Sequence, residues 1–249
     1  MKRIEFYSDI NGVAETWPIS RPTEHIPRWV NLVQNDYKQS DKLQSHLYRC
    51  PGIFELYKTG FILPAWHDIK LTTDGENYGW LLPNDELKQL VGSHHIAKVH
   101  SHKTIARYLP RPPWSHPSVL KLNTPWHIVA PRGVKFLITA FPYPDSYEFE
   151  SVNGILDPSI SSELNVQLNY NVVNGVHIIK AGTPLAHIIP LTERNYDFVV
   201  RDATAWDRVW SKKREYLNNM SFVINRTRMK EAYERHFHGK KCPFHFWRR

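Results

Sequence analysis

The chain has 249 residues and a formal net charge of +8. Hydrophobic residues make up 41% of it and aromatics 13%, enough to pack a core, which excludes a disordered chain. Two cysteines, Cys50 and Cys242, exclude a disulfide framework and a four-cysteine zinc site, and suit a reducing cytoplasm. No apolar run approaches the ~20 residues of a membrane helix. The opening MKRIEFYSDINGVAETW lacks the apolar segment of a secretory leader. The charge is uneven: residues 201–249 hold 13 Lys/Arg against 5 Asp/Glu, so this segment carries the whole excess. A 201–249 segment of basic, helical character is expected beside a β-rich body over 1–200. An acidic partner or nucleic acid suits the former, and a solvated helical face explains the same charges.

In chain order, residues 2–8 (KRIEFYS) alternate like an edge strand. Residues 18–27 are a proline-punctuated connector. Residues 28–39 place Trp29, Val30, Leu32, Val33 and Tyr37 on one helical face. Pro51 opens a short helix that ends at Gly60. Residues 61–73 read as one strand kinked at Pro64. Asp74-Gly75 and a returning strand from Tyr78 then signal a hairpin. Asn84, Asp85 or Glu86 caps a short helix to Leu90. Residues 92–117, rich in His and Pro, read as a long surface loop. From Val119 to Val200, short strands recur at regular spacing, with turns at 131–133, 142–144, 153–154, 174–175 and 181–182. Asp202 or Thr204 then caps a helix carrying Trp206, Val209, Trp210 and Leu217. A second helix is expected over 225–236. The pattern predicts a mainly β (α+β) fold, an antiparallel barrel or sandwich of eight to ten strands.

The stretch 154–190 organises the rest. Its Gly154-Ile155-Leu156-Asp157, Ser162-Glu163-Leu164 and Ile178…Ala181-Gly182…Leu185-Ala186-His187-Ile188-Ile189 resemble the late motif of the dUTPase and dCTP-deaminase superfamily, over about 40 residues. The resemblance implies a dUTPase-like or jelly-roll-like core, a homotrimer, and an aspartate at position 157 beside a bound deoxynucleotide. The sequence departs from the pattern at three places. Ile160 stands where the family stacks an aromatic ring, Pro131-Arg132-Gly133-Val134 lacks the phosphate-binding serine, and HFHGKKCPFHFWRR has no glycine-rich closing motif. Asp157 also precedes a proline, and Asp-Pro initiates turns.

A broader resemblance covers residues 1–238. The order CPGIFELYKTGFILPAWHDIKL, TPWHIVAPRGVKFLI, GILDPSISSELNVQLNY, IIKAGTPLAHIIPL is similar to a family of T4-like marine cyanophages with no assigned activity. It implies an accessory protein in the cytoplasm of an infected host, or a virion component.

Other motifs supply further candidates. His100-x-His102 and the turn leading to His187 resemble the two halves of a cupin, which would make an iron oxygenase. A cupin also needs a glutamate after the H-x-H, and none follows His102 at suitable spacing. His67 and Asp68, adjacent on a strand, face opposite ways. His236, His238, Cys242 and His245 carry zinc-ligand types, with a single cysteine among them. Lys212, Lys213, Arg214, Arg226 and Arg228, interleaved with aromatics, suit phosphates or an acidic partner. No G-x-S-x-G and no phosphate loop occurs. Cys50, before Pro51 at a helix start, reads as a buried structural thiol.

The function expected is binding of a small ligand, such as a nucleotide, or of a partner. A virion or assembly role and a metal-dependent oxygenase are the alternatives. If the protein is an enzyme, nucleotide hydrolysis or iron oxygenation is the chemistry, with Asp157, Glu163 and His187 as first candidates. Trp66, Trp126 and Arg132 are the expected ligand contacts. The sequence assigns no cofactor.

Overall fold

A computed structural model describes residues 3–40, 46–81, 96–101, 108, 110, 112–171 and 174–211. Its elements run in the following order. Strand β1 (Ile4–Ser8) leads to helix α1 (Val13–Thr16), a 3₁₀ turn (Pro22–His25) and helix α2 (Arg28–Gln39). A second 3₁₀ turn (Leu47–Arg49) and helix α3 (Pro51–Glu55) follow. Then come β2 (Phe61–Pro64), β3 (Ile69–Thr73), β4 (Tyr78–Leu81), β5 (Ala97–His100), β6 (Val119–Leu122), β7 (Trp126–Val129) and β8 (Phe136–Thr139). The chain continues with β9 (Phe149–Ser151), β10 (Gly154–Leu156), β11 (Val166–Tyr170), β12 (Gly175–Ile179), β13 (Pro184–Pro190) and β14 (Phe198–Asp202).

The strands form four small sheets, ordered β14-β1-β7, β10-β8-β13-β2, β5-β6-β11-β9 and β12-β3-β4. Every pairing is antiparallel except β1 with β14. The fold is therefore mainly antiparallel β with few helices, as the spacing of turns predicts. Among the described residues none of the sheets closes into a barrel. Alternation sets their inner faces: Val166, Leu168 and Tyr170 of β11 are buried while Gln167 and Asn169 are not. Phe6, Phe61, Leu71, Leu120, Trp126, Phe136 and Ile188, drawn from all four sheets, meet in one core. Phe61 stands edge-on to both Phe6 and Phe198, at 4.9 and 5.0 Å. The Arg21 guanidinium caps this aromatic row, 4.7 Å from the Phe61 ring and 4.6 Å from that of Phe198.

Several local expectations are corrected by tertiary structure. The described residues hold fourteen strands rather than eight to ten. β1 is central, not an edge, because β14 returns from the far end of the sequence to lie parallel to it. The run 61–73 is two strands in different sheets. Pro64 has no N–H to continue the ladder. Ala65 is tied instead to the 182–183 turn, and Asp68 accepts from Ala181 N at 2.8 Å and Lys180 Nζ at 2.8 Å. β5 is a strand within the expected loop, its register held by β6. Helix α2 has the expected ends, but Leu32 is 67% exposed, and Cys50 is exposed rather than structural.

At the second helix start, Thr204 is the cap. Its Oγ accepts from Asp207 N at 3.2 Å, and the Asp207 carboxylate accepts from Thr204 N at 2.9 Å. Helix follows over 205–211. Asp202, the other candidate, caps α1 instead, accepting from Gly12 N at 2.8 Å and Ala14 N at 3.4 Å. The helices expected over 84–90 and 225–236 lie outside the described residues. Among the described residues no helix is long and apolar enough to cross a membrane.

Candidate functional site

After Thr139 the sequence reads AFPYPDSYE. Two prolines within four residues deny the ladder its donors, so the chain leaves the sheet as an arm over 140–148 and rejoins another sheet at β9. The arm is fastened at several points. Tyr57 Oη donates to Pro142 O at 2.9 Å, and Trp29 Nε1 donates to Tyr143 O at 2.8 Å. The Asp145 carboxylate accepts from Arg28 N at 3.1 Å through both oxygens. Arg28 opens α2, whose own N-cap, Pro27, has no side chain to offer, so Asp145 caps the helix from outside and meets its positive end. Asn171 N donates to Glu148 O at 2.8 Å, and Asn171 Nδ2 donates to Tyr147 O. Tyr143 takes a left-handed φ of 47°, the only described non-glycine residue to do so.

A cleft of about 840 Å³ lies along this arm, against the ends of β8 and β12 and the start of β13. A smaller hollow of about 380 Å³ shares Tyr143, Pro144 and Tyr147 with it and adds Trp29, Leu47 and Ile53. The walls are aromatic and apolar, and Tyr143 and Tyr147 are 48% and 59% exposed. The charge of the main cleft is one-sided. Asp145, Glu148 and Glu150 line it, against one lysine, Lys180. Lys180 Nζ is already 2.8 Å from Asp68. Burial holds the cleft's two histidines, His25 and His187, below the ordinary histidine range, so both are neutral at pH 7. Burial also pushes Tyr57, under the arm, up to about 12. A cation or a neutral ring suits these walls; a triphosphate meets like charge.

His187 is the sequence candidate that belongs to the cleft. It is 1% exposed, and its Nε2 donates to Thr59 O at 2.6 Å. That bond leaves Nδ1 as an acceptor, buried with no hydrogen-bond partner among the described residues.

The other candidates lie elsewhere. Asp157 follows β10 and makes a turn: its Oδ1 accepts from Ser159 N at 3.0 Å and Ser159 Oγ at 2.5 Å. Its backbone oxygen accepts from Ile160 N at 2.9 Å and Ser161 N at 3.0 Å. Along β8, Leu156 pairs with Phe136 and His187 with Thr139. Asp157 and His187 thus sit toward opposite ends of that strand, about 10 Å apart along it. Glu163 Oε2 accepts from Asn165 Nδ2 at 2.8 Å, and the Glu163 backbone forms an isolated antiparallel bridge with His127 of β7. The three candidates do not converge.

Trp126 is fully buried, and Trp66, 6% exposed, packs edge-on to His67 at 4.1 Å. Both rings fill the core. Arg132 is exposed in the 131–133 turn, where Gly133 has a φ of 86°. His100 ends β5, its pKa lowered by burial and then by Lys121 and Lys98, a setting that also opposes a bound cation. His102, the 236–245 histidines and Cys242, and Lys212, Lys213, Arg214, Arg226 and Arg228 lie outside the described residues. No group of three or more metal-ligating side chains occurs among the described residues.

One constellation has no signature in the sequence. Asp9 Oδ2 is 2.7 Å from His127 Nε2, and Ser162 Oγ is 3.2 Å from His127 Nδ1. The order of groups matches a serine–histidine–aspartate triad. The burial gradient is reversed, however. Ser162 is 2% exposed, whereas the Asp9 side chain is 36% exposed. A nucleophile must meet its substrate, and this one is the innermost member. The chain of hydrogen bonds satisfies a buried imidazole, which also stacks on Tyr7 at 4.9 Å. These residues stand 35 and 118 positions apart, so no spacing rule finds them.

No protein-family model matches the chain, and no curated protein matches it. Among solved structures it is similar to a native EIAV dUTPase, with 14% identity over 56% of this chain and 84% of that chain. The TM-score is 0.30, so the likeness carries no weight for the site. It agrees in name with the resemblance of residues 154–190 and adds nothing to it.

Proposed function

We propose that this protein acts by binding, and that the arm-lined cleft takes a cationic or ring-bearing ligand or partner segment. The observation that supports the reading is the unbalanced charge: Asp145, Glu148 and Glu150 on aromatic walls, with Lys180 engaged by Asp68. Aromatic faces and carboxylates together favour guanidinium and ammonium groups over phosphates. The test is a titration of the full chain with hexa-arginine and, separately, with dUTP and dCTP. Saturable, salt-sensitive binding of hexa-arginine that fails in Glu148→Lys/Glu150→Lys is the expected result. Binding of a deoxynucleotide, indifferent to that charge reversal, would overturn it and support the nucleotide reading that the 154–190 resemblance implies. The resemblance to the cyanophage family supplies the proposed setting, an accessory protein of an infected cell or its particles. Stoichiometric presence in purified virions would select the assembly role.

A further inference from the structure

Strand β12 ends its sheet. Among the described residues it pairs on one side only, with β3, in an unbroken register from Gly175 to Ile179. In an antiparallel pair alternate residues turn their N–H and C=O away from the partner. The free side of β12 therefore presents open donors and acceptors. Such edges are ordinarily guarded by a charge, a proline or a bulge. Gly-Val-His-Ile-Ile carries none of these.

Its side chains divide by alternation. His177 and Ile179 turn inward: His177 stands edge-on to Tyr170 at 6.2 Å, and Ile179 is buried. Val176 and Ile178 turn outward and are 58% and 46% exposed. These are β-branched residues on a face that a neighbouring strand would cover. Ile178 and Ile179, at the carboxyl end of β12, line the same cleft as Glu148 and Glu150. β9 also ends a sheet there, but Ser151 is buried and its Oγ donates to Leu185 O of β13.

We propose that β12 takes an extended segment of a partner protein as an added strand, with apolar residues beside Val176 and Ile178 and Lys or Arg at the end that enters the cleft. This rests on the cation-binding reading of that cleft. Charge complementarity selects the basic end, because Asp145, Glu148 and Glu150 line the cleft and Lys180 is engaged by Asp68. Backbone pairing supplies the affinity, and alternate side chains supply the specificity. In antiparallel pairing the basic end is the amino-terminal one, since the cleft lies at the carboxyl end of β12.

The test uses the peptide Arg-Arg-Thr-Val-Thr-Val-Thr with fluorescein at its carboxyl end, titrated with the full chain. Two further versions are N-methylated at alternate residues, one along each edge of the strand. An added strand pairs through one edge, so one version should fail to bind while the other binds as the parent does. Val176→Asp should weaken the parent peptide about tenfold or more and leave hexa-arginine binding unchanged, since Val176 lies outside the cleft. The added carboxylate attracts arginine, so the loss reports the strand contact rather than charge, and an unchanged urea midpoint shows the fold intact. Equal behaviour of the two N-methylated versions, or equal binding to Val176→Asp and wild type, would overturn the proposal. So would a concentration-dependent dimer, abolished by Val176→Asp, that binds no peptide, which gives the edge to a second copy. Hexa-arginine binding without peptide binding would sink this inference alone. Failure of both probes would sink the cation-cleft reading with it.

Discussion

Gly60 lies where the fold and the cleft meet, and substituting it tests both. Its φ is +80°, and a Cβ there would stand 2.4 Å from Ile188 O and 3.1 Å from His187 Nε2. Ile188 pairs with Phe61 across β13 and β2, so that carbonyl has no freedom to retreat. The left-handed backbone alone costs an alanine about 1–2 kcal/mol. Forcing a methyl against a fixed carbonyl adds about 1–3 kcal/mol. Gly60→Ala should therefore lose about 2–5 kcal/mol in urea unfolding followed by tryptophan fluorescence, or roughly 5–15 °C in Tm. The control is Gly133→Ala. Its φ is +86° but nothing lies within 4 Å of the added carbon, so only the backbone cost, about 1–2 kcal/mol, applies. The difference between the two variants isolates the contact. Equal losses for Gly60→Ala and Gly133→Ala would refute the close approach of Gly60 to β13. The stated position of His187 at the edge of the cleft would fall with it.

Two other outcomes are expected. Asp9→Ala leaves His127 Nε2 buried without its acceptor, which should cost about 1–3 kcal/mol. The loss should couple to that of Ser162→Ala in a double-mutant cycle, and covalent labelling of Ser162 by a fluorophosphonate would refute the burial argument. Stability should fall as pH drops. His25, His67 and His187 all have pKa values lowered from 6.5, with burial the largest cause in each. The unfolded chain therefore binds more protons than the fold below pH 6.5, and the urea midpoint should decline from pH 7.5 to 5.5. A flat or rising midpoint would refute neutral buried imidazoles.

Short-range chemistry made part of this protein legible from sequence. Helix α2 begins after Pro27 and ends at Gln39, where periodicity places it. The Asp74-Gly75 hairpin forms because the Asp74 carboxylate accepts from Glu76 N and Asn77 N at 2.9 and 2.7 Å. Thr204 caps its own helix, and Asp157 makes the turn that Asp-Pro invites. Each of these interactions spans a few residues, so residue types and spacing suffice to find it.

Pairing of distant strands was a different matter. Alternation in β1 marks which side chains face inward, but it carries no information on what lies alongside. Only the folded chain brings β14 next to β1, sends the Asp202 carboxylate to α1 and assembles Asp9, His127 and Ser162. The cleft is of the same kind. Pro142 and Pro144 mark a turn at 142–144 in the sequence, not the arm over 140–148. What holds the arm over β13 is a set of contacts from Trp29, Tyr57, Arg28 and Asn171, each supplied by another part of the chain. Local rules reach a few residues because backbone hydrogen bonds and turns do. The site depends on contacts between residues far apart in sequence, which exist only once the core has closed.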